Sequence, residues 1–416
     1  MTTLAQPRRA VFPGWVVVGA TFLLLWCSSG LGFYGLAIYL RALVDERGFS
    51  TTSVSLGTSL FFIVGGIAGR VMARLIDTHD LRPLVLGGAV LAGLGMTAVG
   101  HVHHIWQLYP AYAVMAVGWA ATGLVPATTL VTRWFHRRRS LALSISSTGL
   151  SVGGLTLTKV LAGRIDSHGL GHTAPLIGAA WVVIVLAVVW FLWPSPLARG
   201  LAPDGDGLSI TNVGAAASGA PYDEAIRTRF FVAFTVGYVA VMAAQVGGIA
   251  QLAKLGQERA DKPTGALAVS VLALASVIAR LLAGVIAPKL PLGTFTAALC
   301  GAMGVALVLL GHAHGRTAVL VAAAVFGATV GNLLMLQPLV IAETFGVRDY
   351  AKLYSVNQLV VSVGVAVGPF LTGWLRDQSG YTLSYTVAAA LSFVGAVAVA
   401  MAGSVRRTQA VFGVAA

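Results

Sequence analysis

Hydrophobic residues in this chain fall in long unbroken stretches separated by short polar loops. Each stretch holds about 20 residues, enough for a helix rising about 1.5 Å per residue to cross a hydrocarbon layer about 30 Å thick. In lipid every backbone N–H and C=O must be paired within the protein, which leaves helices or closed barrels. Barrel strands alternate apolar and polar side chains, and segments such as 181–193 do not. The pattern predicts an all-α membrane protein with twelve transmembrane helices. They are expected at 14–40, 51–76, 81–100, 105–131, 140–164, 173–193, 229–252, 264–287, 291–311, 316–342, 351–376 and 381–403.

The longest interruption, 194–228, is rich in Pro, Gly, Asp and Ser and reads as a linker. It divides the chain into an N-terminal six-helix bundle (1–193), a cytoplasmic linker (194–228) and a C-terminal six-helix bundle (229–416). The two halves resemble each other at one offset of 210 residues. Arg70, Ala73 and Ile76 match Arg280, Ala283 and Ile286, Phe135 matches Phe345, and Gly154 matches Gly364. Parallel repeats of this kind are one transporter architecture, with the substrate site between the halves near the midplane.

Composition changes the picture little and charge somewhat more. The chain is 57% hydrophobic and 10% charged, against about 25% charge in ordinary soluble proteins. A net charge of +13 is compatible with nucleic acid binding, but the basic residues lie between spans and favour one side, so no nucleic acid partner is expected. With both termini placed in the cytoplasm, 16 Lys and Arg fall inside and 8 outside, the sense of the positive-inside rule. Arg8 and Arg9 before an apolar run imitate a signal peptide. That run continues to Leu40, far beyond a signal core, and reads as an uncleaved first span. Cys27 and Cys300 sit inside apolar stretches and offer no disulfide framework. A monomer in a bacterial inner membrane is expected, from compactness and short termini.

The charges within the spans carry the functional signal. All 14 acidic residues fall in loops or at span ends, while Arg70, Lys159 and Arg280 lie within spans. A charge in the membrane core is expensive and normally faces a cavity or a partner. With no carboxylate in mid-membrane, an anionic substrate is the natural partner of Arg280, because the guanidinium fork matches a carboxylate with two parallel hydrogen bonds. Ser276, one turn earlier, shares its face. Asn332, Tyr34, Trp119, Gln245 and Asn357 are further polar or aromatic residues near mid-span and are expected to line the same pocket. Lys159, near the outer end of its span, is expected either to snorkel or to guide anions inward.

Ala73-Arg-Leu-Ile-Asp77 followed by Arg82 resembles a degenerate form of the loop motif between spans two and three of the major facilitator superfamily. That resemblance implies a latch of Asp77, Arg82 and Arg70 that holds one gating state. Arg133-Trp-Phe-His-Arg-Arg-Arg-Ser-Leu-Ala142, continuing to Gly149 and Gly153-Gly154, resembles the junction of spans four and five in the monocarboxylate porters and oxalate/formate antiporters. Pro13-Gly-Trp15 and Glu343-Thr-Phe-Gly346, with Tyr350 and Tyr354, resemble the first of these families. The resemblance implies alternating-access transport of small monocarboxylates of the lactate and pyruvate kind, linked to protons, and it places the substrate-binding arginine of span eight at Arg280. The chain departs from the porters where they carry an aspartate before that arginine, since Ser276 stands there, and span one has no lysine. An organic anion exchanger and a non-transporting sensor remain as alternatives. Only one deep, well-supported cation argues against dicarboxylates.

Other motifs carry less. Gly30-Leu-Gly-Phe-Tyr-Gly35 fits G-x-G-x-x-G but lies in an apolar span, without the strand and ribose-binding acid a dinucleotide site requires. Asp204-Gly-Asp-Gly207 lacks the later glutamate of a calcium loop. His101, His103, His104, His312 and His314 lie in short outer loops and read as solvated. No nucleophile–base pair or phosphate-binding loop is present in the sequence, so neither an enzyme nor a cofactor or metal is expected.

Overall fold

A computed structural model describes residues 12–205 and 219–413. Arg8, Arg9 and the middle of the linker, including Asp206 and Gly207, lie outside the described residues. Among the described residues, ten continuous helices are long and apolar enough to cross a membrane. Two of them, Arg139–Val189 and Tyr350–Ala402, run for 51 and 53 residues, more than twice the length a bilayer needs. Each is broken by a glycine in extended geometry at positive φ, Gly169 (φ 77°) and Gly380 (φ 79°). A side chain would resist that backbone, so glycine turns one continuous run into two antiparallel spans.

The twelve spans are α1 (Gly14–Arg47), α2 (Thr51–Thr78), α3 (Leu81–Gly100), α4 (Ile105–Trp134), α5 (139–168), α6 (170–189), α7 (Arg229–Arg259), α8 (Lys262–Ile286), α9 (Leu292–His312), α10 (Arg316–Phe345), α11 (350–379) and α12 (381–402). Their starts follow local chemistry. Ser50, Thr228 and Asp261 accept hydrogen bonds from the backbone N–H three residues on, satisfying orphan donors of the first turn. A short amphipathic helix, α13 (Val405–Phe412), lies beyond the last expected span.

Five corresponding landmarks of the two halves are 211 residues apart: Thr51 and Lys262, Leu81 and Leu292, Ile105 and Arg316, Arg139 and Tyr350, Gly169 and Gly380. The repeat read at 210 is therefore present in the helices themselves, within the residue by which helix ends are defined.

Packing within each bundle uses small residues, since lipid offers no hydrophobic drive for helices to associate and close approach must supply the attraction. Gly327 and Gly331 of α10 lie against the backbone of Leu272 and Ser276 in α8. Gly364 and Gly368 of α11 meet Val239 and Ala243 of α7, and Gly149 and Gly153 of α5 meet Phe22 and Trp26 of α1. Large apolar side chains, among them Phe370 and Leu94, cover the outside, as a lipid-facing surface requires. The bundles meet chiefly along two pairs of helices, α2 with α11 and α5 with α8, with α5 also touching α10.

Candidate functional site

A cavity of ≈ 180 Å³ lies between the bundles at mid-membrane. α1 contributes Ser28, Ser29, Phe33 and Tyr34, α2 Phe62 and Gly66, α4 Trp119, α7 Met242 and Gln245, α10 Val330 and Gln337, and α11 Gln358 and Ser362. The α1 wall is built from the glycine motif of the sequence. Ser28–Phe33 is a π-helical turn, a widened turn often found where a helix serves a site. It is held by Tyr39 Oη donating to the Leu31 carbonyl (2.7 Å) and Trp119 Nε1 donating to the Ser28 carbonyl (3.2 Å).

Arg280 is completely buried in α8 and is not itself among the residues that line this cavity. Its Nε donates to the Gly331 carbonyl (2.8 Å), and its terminal nitrogens donate to the Ser147 carbonyl and to Ser151 Oγ (3.2 Å) and Ser276 Oγ (3.4 Å). Leu150 and Val330, next in sequence to Ser151 and Gly331, line the cavity. Every acceptor is neutral; among the described residues no carboxylate pairs with Arg280. Two acceptors belong to α5 of the other bundle, and Ser144 Oγ of α5 donates to the Arg280 carbonyl (2.9 Å). The arginine is thus both a buried charge without a counter-ion and a strut between bundles.

The remaining sequence candidates divide. Tyr34, Trp119 and Gln245 line the cavity, and Ser276 bonds Arg280. Asn332 and Asn357 do not line it. Asn332 Nδ2 donates back to the Ala328 carbonyl of its own helix (2.9 Å). Asn357 is fully buried within its bundle, donating to Thr235 Oγ1 (2.9 Å) and accepting from Gln337 Nε2 (2.6 Å). A mid-span position fixes depth but not face, so such residues need not share one cavity. Lys159 is exposed, ten residues before the break at Gly169.

The loop motif also forms other pairs than expected. Asp77 accepts from Arg133 (3.1 Å) and lies 3.6 Å from Lys352 of α11. Arg82 is not its partner; the Arg82 Nε is buried without a hydrogen bond. Arg70 stacks over the Tyr222 ring (4.6 Å) and reaches the Lys352 carbonyl (3.5 Å). A stronger cross-bundle pair nearby escaped the sequence: Arg139 Nη1 donates to Glu343 Oε1 at 2.6 Å, with the arginine side chain only 5% exposed. Both residues sit in the junction motifs, but nothing along the chain pairs residues 204 apart. Asp204 holds the neighbouring loop, accepting from the backbone N–H groups of His136, Arg137 and Arg138.

Cavity residues that the sequence did not single out include Ser28, Ser29, Phe33, Phe62, Gln337 and Gln358. The two glutamines carried the signal that flagged Gln245, an amide inside an apolar stretch.

Two bundles of six spans around a central cavity define a polytopic membrane transporter of the two-bundle kind. The model of the Major Facilitator Superfamily matches residues 21–340 and 313–413, and the chain belongs to that superfamily. Monocarboxylate transporter 11 of Mus musculus is 29% identical over 401 residues, covering 92% of this chain and 86% of that protein. Monocarboxylate transporter 13 of Rattus norvegicus is 29% identical over 390 residues, covering 92% and 87%. Among solved structures, the fold is similar to FucP in its outward conformation (TM-score 0.70, 14% identity, 95% of this chain and 99% of that one). It is also similar to the human organic anion transporter MFSD10 (TM-score 0.72, 15% identity, 93% and 99%).

Proposed function

We propose that this transporter carries monocarboxylate anions across the membrane by alternating access, with residues 1–193 and 229–416 moving as two bodies about the central cavity. The observation that carries the reading is Arg280: a fully buried guanidinium whose acceptors are all neutral. An unpaired buried charge is strongly unfavourable, and an incoming carboxylate supplies the missing counter-charge. The similarity to proteins named monocarboxylate transporters supports the same substrate class.

The geometry couples binding to motion. A carboxylate that takes the terminal nitrogens of Arg280 competes with the Ser147 carbonyl and Ser151 Oγ, the acceptors that belong to α5. Binding therefore loosens α8 from α5 at the place where the bundles must separate. All acidic residues fall in loops or at span ends, so no mid-membrane side chain of the chain offers itself as a carboxylate proton carrier. The ends of α2, α4 and α10 face the cytoplasm in this reading, following the excess of basic residues on that side.

Uptake of labelled monocarboxylates, lactate included, into proteoliposomes tests the proposal. Wild type is expected to accumulate label, faster with an inward proton gradient, and Arg280→Gln to lose it. Uptake retained in Arg280→Gln would remove the arginine from the site.

A further inference from the structure

A two- or three-carbon acid does not account for the cavity between the bundles. At ≈ 180 Å³ the space exceeds the roughly 150 Å³ of an apolar cavity that takes up benzene. One wall is a run of rings. Phe33 meets Phe62 at 5.6 Å between centroids and 63°, and Phe62 meets Trp119 at 6.2 Å and 82°. Such edge-to-face arrays accept a further ring in the same manner. No acidic side chain lines the cavity, so the rings do not form a cage for a cation, which requires a compensating charge this membrane core lacks.

Across from the rings, the amides differ in what they have left to offer. Gln337 Nε2 is committed to Asn357 Oδ1 (2.6 Å) and Gln358 Oε1 (2.7 Å). Gln245 is 2% exposed and lines the cavity, and its Oε1 has no hydrogen-bond partner. A buried amide is nearly always bonded, and of the unbonded ones among the described residues Gln245 is the one beside the cavity, where a ligand group can bond it. A hydroxyl, donor and acceptor at once, satisfies either orientation of the amide.

We infer that the acid carried is an aromatic monocarboxylate bearing a hydroxyl group. Its ring packs against Phe33, Phe62 and Trp119, its hydroxyl bonds Gln245, and its carboxylate goes to Arg280; the inference rests on the reading of Arg280 given above. Lactate leaves the ring wall and Gln245 unused.

The test is competition against uptake of labelled 4-hydroxyphenylacetate in proteoliposomes, using phenylacetate, lactate and 4-hydroxybenzyl alcohol, with labelled lactate run in parallel. 4-Hydroxyphenylacetate is expected to compete about five-fold better than phenylacetate, the worth of one hydrogen bond. Lactate is expected to be weaker than phenylacetate by about ten-fold or more, the worth of burying a ring. The alcohol should not compete. Gln245→Leu should abolish the hydroxyl preference and spare phenylacetate, while Phe62→Leu should weaken both aryl acids relative to lactate. Carriage of lactate with no aryl acid uptake overturns the inference and leaves the arginine reading intact. So does a hydroxyl preference unchanged in Gln245→Leu. Competition by the alcohol equal to that of the acid, with uptake surviving in Arg280→Gln, overturns the arginine reading itself. Should Gln245→Leu fail to fold, the wild-type order of competitors decides alone.

Discussion

The two ends of the bundle interface are built differently. At the end carrying the α2–α3, α4–α5 and α10–α11 junctions, polar groups cross from bundle to bundle. Arg139 pairs with Glu343, Asp77 approaches Lys352, and Arg70 reaches the Lys352 carbonyl. At the opposite end, polar contacts stay within one bundle. Arg41 pairs with Asp166 and Glu46 accepts from the Leu170 N–H, while Arg259 reaches Thr382 and Arg376 reaches Gln251. Among the described residues no side-chain hydrogen bond or ion pair joins the bundles there. The interface is tied at one end and untied at the other, with Arg280 as the deepest tie between them. The ties are what must break for the cavity to open to the junction end, so the energetics of alternation are concentrated in a few named pairs.

The largest expected effect comes from the deepest tie. Arg280→Gln removes two or more charge-assisted hydrogen bonds to an anion, each worth about 1.5–3 kcal/mol. Transport is expected to fall by about 100-fold or more, measured as initial uptake rates. Arg280→Lys keeps the charge but not the fork and should recover only a small part. Next comes Arg139→Gln, which strands the half-buried Glu343 carboxylate (24% exposed). Breaking a pair of this burial shifts the balance between tied and open states by about 2–3 kcal/mol. Distances between spin labels on α4 and α10 near that end should show a second, longer population. The exchange Arg139→Glu with Glu343→Arg should restore the short distance, and a purely structural role for either residue would not.

Smaller changes should follow at the shallower tie. Asp77→Asn removes contacts to Arg133 and Lys352, whose side chains are 26% and 32% exposed. Partly exposed pairs are worth about 1 kcal/mol or less, so the same label pair should shift only slightly and the effect should shrink further in high salt. The smallest expected effect is that of Gln409→Ala in α13, which loses one hydrogen bond, from Gln409 Nε2 to the Glu343 carbonyl (2.8 Å). It should lower the thermal midpoint by a few degrees at most and leave uptake unchanged.

How much of this was legible depended on whether the signal lay along the chain or across it. The spans were readable because hydropathy and length are local properties, and the expected and observed starts differ by at most about three residues. α13 was missed because a helix of eight residues with a wide polar face leaves no hydropathy signal. Arg280 stood out as a charge in an apolar stretch, yet its acceptors are mostly invisible in sequence, since the Ser147 and Gly331 groups are backbone carbonyls. Arg139 and Glu343 were both noticed in motifs, but only the packing of α5 against α10 shows that they are a pair. Asn332 and Asn357 show the converse: both lie at mid-span, yet one bonds back to its own helix and the other to Thr235 of its own bundle.

The central claim is that Arg280 is at once the anion site and the tie between α5 and α8. It is tested most directly by following the spin-label distance across the tied end of purified protein while a transported monocarboxylate is titrated in. Wild type should shift toward the longer distance as the acid saturates, because the carboxylate takes over the hydrogen bonds that Arg280 gives to Ser147 and Ser151. Arg280→Gln should show no dependence on the acid. A wild-type distance unmoved by saturating substrate, or an equal response in the variant, would contradict the account.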